Sequence, residues 1–180
     1  MRCSLKDAMP PGRALYGGWG LSSGGLITAG IDGISLRFEG RWSALGSLSS
    51  ETINALFRAP GGSLRAVGNG GTILRKNTDG RWEKEVSGTL ENLYALWGTS
   101  EDNLWAAGEN TLLHFDGVSW AVEPNPSTRS LVRFRSIWGS SSQDIWMVDD
   151  HSPDQLFHFD GFTWKQSSIA TDTAFEALWG

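Results

Sequence analysis

Apolar residues in this chain fall in short groups separated by glycine, asparagine, aspartate and serine, and the groups recur. LYALWGTSEDNLWAAGENTLLHFDGVSW (Leu93–Trp120) returns as FRSIWGSSSQDIWMVDDHSPDQLFHFDGFTW (Phe134–Trp164), and its opening returns once more as FEALWG (Phe175–Gly180). The aromatic that closes the first group is Trp19, Phe57, Trp97, Trp138 and Trp179, in steps of 38, 40, 41 and 41 residues. All ten tryptophans fall at three repeat positions. A period near forty residues marks a propeller or another repeat array.

Each repeat holds four segments with strand character between turn residues. In the third they are Leu93–Trp97, Leu104–Ala107, Thr111–Phe115 and Trp120–Glu123. The first segment keeps a small third residue throughout (Gly17, Ala55, Ala95, Ser136, Ala177), as an innermost strand crowded around an axis requires. Its first and fourth residues are apolar. In a flat strand of period two they lie on opposite faces, which predicts a strand buried on both sides between neighbours. The second segment ends in Gly30, Gly68 or Gly108, at a turn of positive φ or a close backbone approach, and in Asp149 in the fourth repeat. Asp-Gly-x-x-Trp joins the third segment to the fourth as a hairpin. The predicted fold is all-β: a β-propeller of four-stranded antiparallel blades, with four complete blades plus the inner strand of a fifth.

The chain resembles bacterial tryptophan-rich β-propellers, including the photosystem II assembly-factor-like group and the sialidase-type Asp-box repeats. The resemblance runs over Leu15–Gly180. It is carried by I/L-W-G, by N/D-h-W-x-x-G, and by D-G-x-x-W at Asp116–Trp120 and Asp160–Trp164, one residue shorter at Asp79–Trp82. The usual Asp-box, S-x-D-x-G-x-T-W, has a residue between Asp and Gly that is absent here, and in its family that box is structural. The resemblance implies a parent protein that is extracytoplasmic.

Residues 1–13 form an N-terminal extension, followed by blades at 14–48, 49–88, 89–129 and 130–170 and a partial one at 171–180. Because Leu15–Trp19 already supplies the first blade's inner strand, the surplus strand has no vacancy in a four-bladed ring. The expectation is an incomplete propeller, a segment of a longer chain with roughly six to eight blades. An incomplete array exposes a blade face that a closed ring buries, and self-association through that face is expected.

Hydrophobic content of 39% with 23 glycines suits many short strands and tight turns. A formal charge of −5 argues against duplex nucleic acid as a partner. No run of eighteen apolar residues predicts a membrane span, and no apolar stretch follows the first residues as in a secretory signal. Cys3 is the only cysteine, so no intrachain disulfide framework exists.

His114 and His158 share one repeat position, which Arg37 and Arg75 occupy earlier. A metal reading lacks the clustered ligands of a zinc site, and a structural position favouring a donor is preferred. No metal, cofactor or catalytic residue is assigned. Repetition fails at two insertions. Val148 to Leu156 spans eight residues against five from Ala107 to Leu112, and Trp120 to Phe134 spans 14 against 11 from Trp82 to Leu93. Both loops belong to the same propeller face, which sets Asp149, Asp150, His151 and Asp154 opposite Asn125, Arg129 and Arg133 as binding candidates. The variable second residue of the inner strand points toward the central channel, adding Tyr94, Arg135 and Glu176. The expected function is a non-enzymatic module, a protein-binding or assembly scaffold. The alternatives are a carbohydrate-binding or sialidase-like glycoside-hydrolase propeller, with a glycan as partner, or a truncated fragment without independent function.

Overall fold

The computed structural model describes residues 14–21, 24–38, 42–47, 49–150, 155–167 and 177–179. The first blade is β1 (Leu15–Gly20), β2 (Leu26–Gly30), β3 (Ile34–Phe38) and β4 (Trp42–Ser47). The second is β5 (Ile53–Arg58), β6 (Leu64–Gly68), β7 (Ile73–Lys76) and β8 (Trp82–Glu85). The third is β9 (Leu93–Ser100), β10 (Asn103–Gly108), β11 (Leu112–Phe115) and β12 (Trp120–Glu123). The fourth is β13 (Phe134–Ser141), β14 (Asp144–Asp149), β15 (Gln155–Phe159) and β16 (Trp164–Gln166). Each blade is one antiparallel four-stranded sheet with strands in chain order, and the four together form an open β-propeller. Among the described residues no helix is long and apolar enough to cross a membrane.

The inner strands are not flat. In all four blades the pairing of the first two strands skips the second residue of the inner strand. Leu93 pairs with Gly108 and Ala95 with Ala107, leaving Tyr94 as the extra residue, and Tyr16, Asn54 and Arg135 are skipped in the same way. This β-bulge corrects the expectation drawn from a flat strand. An extra residue reverses the alternation, so the first and fourth positions share a face. Leu93 and Leu96 sit in one buried cluster with Val67 and Ile73 of the preceding blade, whereas Ala95 and Trp97 pack into the next cluster with Phe134, Ile137 and Met147. Ile53 and Leu56 likewise face the first blade's Ile27 and Ala29. The inner strands β5 and β9 are therefore buried on both sides, by a different pairing of positions than period two suggests. The core is a series of seams between blades.

Crowding at the small third position is direct. A Cβ on Gly17 would lie 3.1 Å from the Leu56 nitrogen of the next inner strand. The chain end repeats this relationship, because Ser136 Oγ, at the third position of the fourth blade, accepts the N–H of Leu178, a fourth-position residue, at 2.9 Å. The last described residues thus occupy the place of a fifth inner strand.

Of the two explanations open for Gly30, Gly68 and Gly108, close approach is the one observed. A Cβ on Gly108 would fall 2.0 Å from Asn92 O, and Gly68 and Gly30 meet Thr52 and Ala14 in the same way. The Asp-Gly hairpin turns form as predicted. Asp116 Oδ1 accepts the N–H groups of Val118 and Ser119 at 2.9 Å, and Gly117 supplies φ of 94°. These bonds favour the carboxylate and hold Asp116 below the usual range, Ser119 having the largest effect and Val118 the next.

Candidate functional site

The skipped residues of the bulges all project toward the propeller axis. Tyr16, Asn54, Tyr94 and Arg135 line a cavity of about 710 Å³ together with Thr52, Asn69 and Asn92, which come from the residue before an inner strand or just after a second strand. Tyr16 is 58% exposed. The scaffold is rigid backbone and the projecting side chains differ from blade to blade, an arrangement that gives a varied surface on a repeated frame.

The second, third and fourth blades each tie the projecting residue to the residue that follows the second strand. In the second blade Asn54 Nδ2 donates to Asn69 Oδ1 at 2.9 Å and to Leu93 O at 2.8 Å. In the third, Tyr94 Oη donates to Glu109 Oε2 at 3.4 Å, and Asn92 Nδ2 donates to the same oxygen at 3.0 Å. Burial raises the Tyr94 phenol above its ordinary value; the Asn92 contact opposes this and the Glu109 carboxylate adds to it. In the fourth, Asp150 accepts from Arg133 Nε at 2.7 Å and pairs with Arg135 Nε at 3.1 Å. The hydrogen bond that Arg133 donates to the Asp150 carboxylate raises Arg133 above its usual value. Arg135 completes the row, its guanidinium 5.4 Å from the centroid of the Tyr94 ring.

Two candidate groups that sequence separates, the insertion loops and the channel residues, therefore meet at Asp150. Arg133 contacts it directly, and Asp149, the residue before it, turns inward. It is fully buried, with Oδ1 accepting the Arg133 N–H at 2.9 Å and Oδ2 3.5 Å from Arg129 Nη1. It fastens the start of β13 rather than facing outward. Asn125 lies apart from this group. It accepts the Ser127 N–H and lines a different cavity at the outer rim beside Trp105 and Trp164. The physical reason is radial: the connection leaves the outer strand β12 and returns to the inner strand β13, so its start and end lie at opposite ends of a blade. Its end is locked in place by Asn110, which exchanges hydrogen bonds with Val132 at 3.1 and 3.0 Å. His151, Asp154 and Glu176 lie outside the described residues.

Thr52, Asn69, Asn92 and Glu109 were not singled out from sequence. Their signal is positional, since each sits immediately before a first strand or immediately after a second. His114 and His158 play matching parts within their own blades. Each ring stacks on a tryptophan, Trp105 at 4.3 Å and Trp146 at 4.2 Å, and each Nε2 meets an oxygen of Asn103 or Asp144 at 2.9 or 2.8 Å.

No family model matches the sequence, and no curated protein matches it. Solved structures of similar architecture include three with the following likeness. "YCF48 bound to D1 peptide" matches with a TM-score of 0.65 and 19% identity, over 82% of this chain and 50% of that one. YCF48 from Cyanidioschyzon merolae matches with a TM-score of 0.66 and 15% identity, over 81% and 50%. The extracellular domain of the putative one-component system BT4673 from B. thetaiotaomicron matches with a TM-score of 0.64 and 13% identity, over 94% and 25%. The chain thus spans about half the length of the YCF48 structures and a quarter of the BT4673 domain. At these identities the likeness is one of fold, and the fold is a β-propeller of four-stranded antiparallel blades.

Proposed function

We propose that the chain is a non-enzymatic binding module whose axial face takes an extended segment of a protein partner. One observation carries this reading: four consecutive bulges turn side chains of different chemistry, Tyr16, Asn54, Tyr94 and Arg135, into one polar cavity. Amides, phenols and a guanidinium at blade spacing suit the alternating backbone and side-chain groups of a polypeptide. The neighbouring carboxylates Glu109 and Asp150 are each engaged in positioning another residue, so these two are not a free pair for acid–base work of the glycosidase kind. A fold-level parallel adds support, since one YCF48 structure is described as bound to a D1 peptide.

The test is selection of binders from a displayed library of unstructured peptides, followed by titration against Tyr94→Ala and Arg135→Ala. Loss of about tenfold or more in affinity is expected for each, the scale of a central interface anchor. Binders indifferent to both changes, or binding to a glycan array in place of any peptide, would contradict the proposal.

A further inference from the structure

The seams between blades invite an internal comparison. Between the second and third blades the outer part of the seam is filled by Arg65, only 2% exposed. Its guanidinium lies 4.9 Å from the Phe115 ring centroid, and its Nε lies 3.2 Å from Glu85 Oε2. The same Glu85 oxygen accepts the Trp120 indole N–H at 2.9 Å. A buried cation, a carboxylate and two aromatic rings thus pack together, with Arg65 Nη1 3.9 Å from Glu101 Oε1.

One seam further on, every partner recurs except the cation. Glu123 holds the register of Glu85, each paired with the first residue of the neighbouring strand, Leu112 or Ile73. Phe159 and Trp164 hold the registers of Phe115 and Trp120. Trp105 takes the place of Arg65, across the strand pair from His114 as Arg65 is from Arg75. Two consequences follow. The Trp164 indole N–H is buried without a hydrogen-bond partner. Glu123 remains 35% exposed, its nearest ionisable neighbour being His114 Nδ1 at 4.0 Å. Between these groups lies a cavity of about 440 Å³, walled by Trp105, Phe159 and Trp164 and bordered by Pro124 and Pro126. Phe162 stands at its edge, 87% exposed. Trp105 and Trp164 meet nearly at right angles, with interplanar angle 79° and centroids 5.7 Å apart.

We propose that this outer seam is a binding site for an arginine side chain of a partner polypeptide, supplied in trans where the preceding seam supplies Arg65 in cis. Aromatic faces attract a guanidinium through their quadrupole, more strongly where water is excluded, and Glu123 provides the matching charge. The acidic balance of the chain, −5, attracts a basic segment at longer range. The site is separate from the axial face and stands or falls without it.

The test follows the tryptophan indole N–H signals of the full chain by NMR during titration with Nα-acetyl-arginine N-methylamide. Nα-acetyl-citrulline N-methylamide, neutral and of the same shape, is the control. A saturable shift centred on Trp164 and Trp105 is expected for the arginine compound, with citrulline weaker by about tenfold. Glu123→Gln should weaken the arginine response by a similar factor. Phe162→Ala, at an exposed position that the fold does not need, should weaken it too while leaving the other indole signals in place. An equal response to citrulline, no saturable shift at Trp164, or full arginine binding by Glu123→Gln would overturn the assignment.

Discussion

The Arg135 guanidinium lies over the Tyr94 ring at 5.4 Å while its Nε contacts Asp150 at 3.1 Å. Both side chains occupy the bulge position of their inner strands, so the contact joins two adjacent blades across the axis side of the seam. Asp150→Ala removes the anchor shared by Arg133 and Arg135. Both arginines are substantially exposed, and a stability loss of about 1 kcal/mol or less is expected in chemical denaturation. A much larger loss would show that the pair supports the fold as well as the surface.

Asp149 is a different case, because its carboxylate is buried and holds the backbone of β13 through the Arg133 N–H. Asp149→Ala leaves that donor and Arg129 without their acceptor, at a cost of about 1–3 kcal/mol. Asp149→Asn retains an acceptor oxygen and should cost less than the alanine change. Equal denaturation midpoints for the two variants would contradict this assignment.

Backbone crowding at the end of the second strand makes its own prediction. Alanine at Gly108 places a Cβ 2.0 Å from Asn92 O, whereas at Gly20 the added atom meets nothing within 4 Å. Gly108→Ala should destabilise by about 1–3 kcal/mol through overpacking, and Gly20→Ala should be close to neutral. Thermal melts of the two variants side by side measure the difference.

His114 sets a pH dependence. Burial against Trp105 lowers its pKa below 6.5, with Glu123 and then Asp116 opposing the shift. The unfolded chain therefore binds more protons than the folded one between the lowered value and the ordinary histidine range. Stability from this residue is fully present above that range and declines as pH falls through it. Urea midpoints measured from neutral to mildly acidic pH should fall for the native chain, and His114→Gln should flatten that part of the decline. An unchanged slope in the variant would rule His114 out as the cause.

Strand order, blade size and the Asp-Gly hairpins were readable because each depends on local chemistry that recurs with the period. Glycine at 117 and 161 supplies positive φ after an aspartate that caps the turn. The bulge was not readable. Apolar residues at Leu93 and Leu96 fit a flat strand buried on two faces as well as a bulged strand with both on one face. Only the pairing of Leu93 and Ala95 to adjacent partners separates the two. The same pairing makes Tyr94 and Arg135 axial, so sequence could identify them as variable without fixing how they project. The placements of Asn125 at the outer rim and of Asp149 inside were hidden for a related reason. Loop length shows that an insertion exists, but not which of its residues lies at the rim or turns inward to cap a strand.

The central claim, that the axial face holds a partner's polypeptide segment, is tested most directly by site-specific photocrosslinking to a selected peptide. A benzophenone side chain is placed at position 94, in the axial cavity, and in a second protein at position 122, an exposed residue of the outer strand β12. Crosslinking from position 94 and not from position 122 is the predicted result. Crosslinking from position 122 with none from position 94 would contradict it.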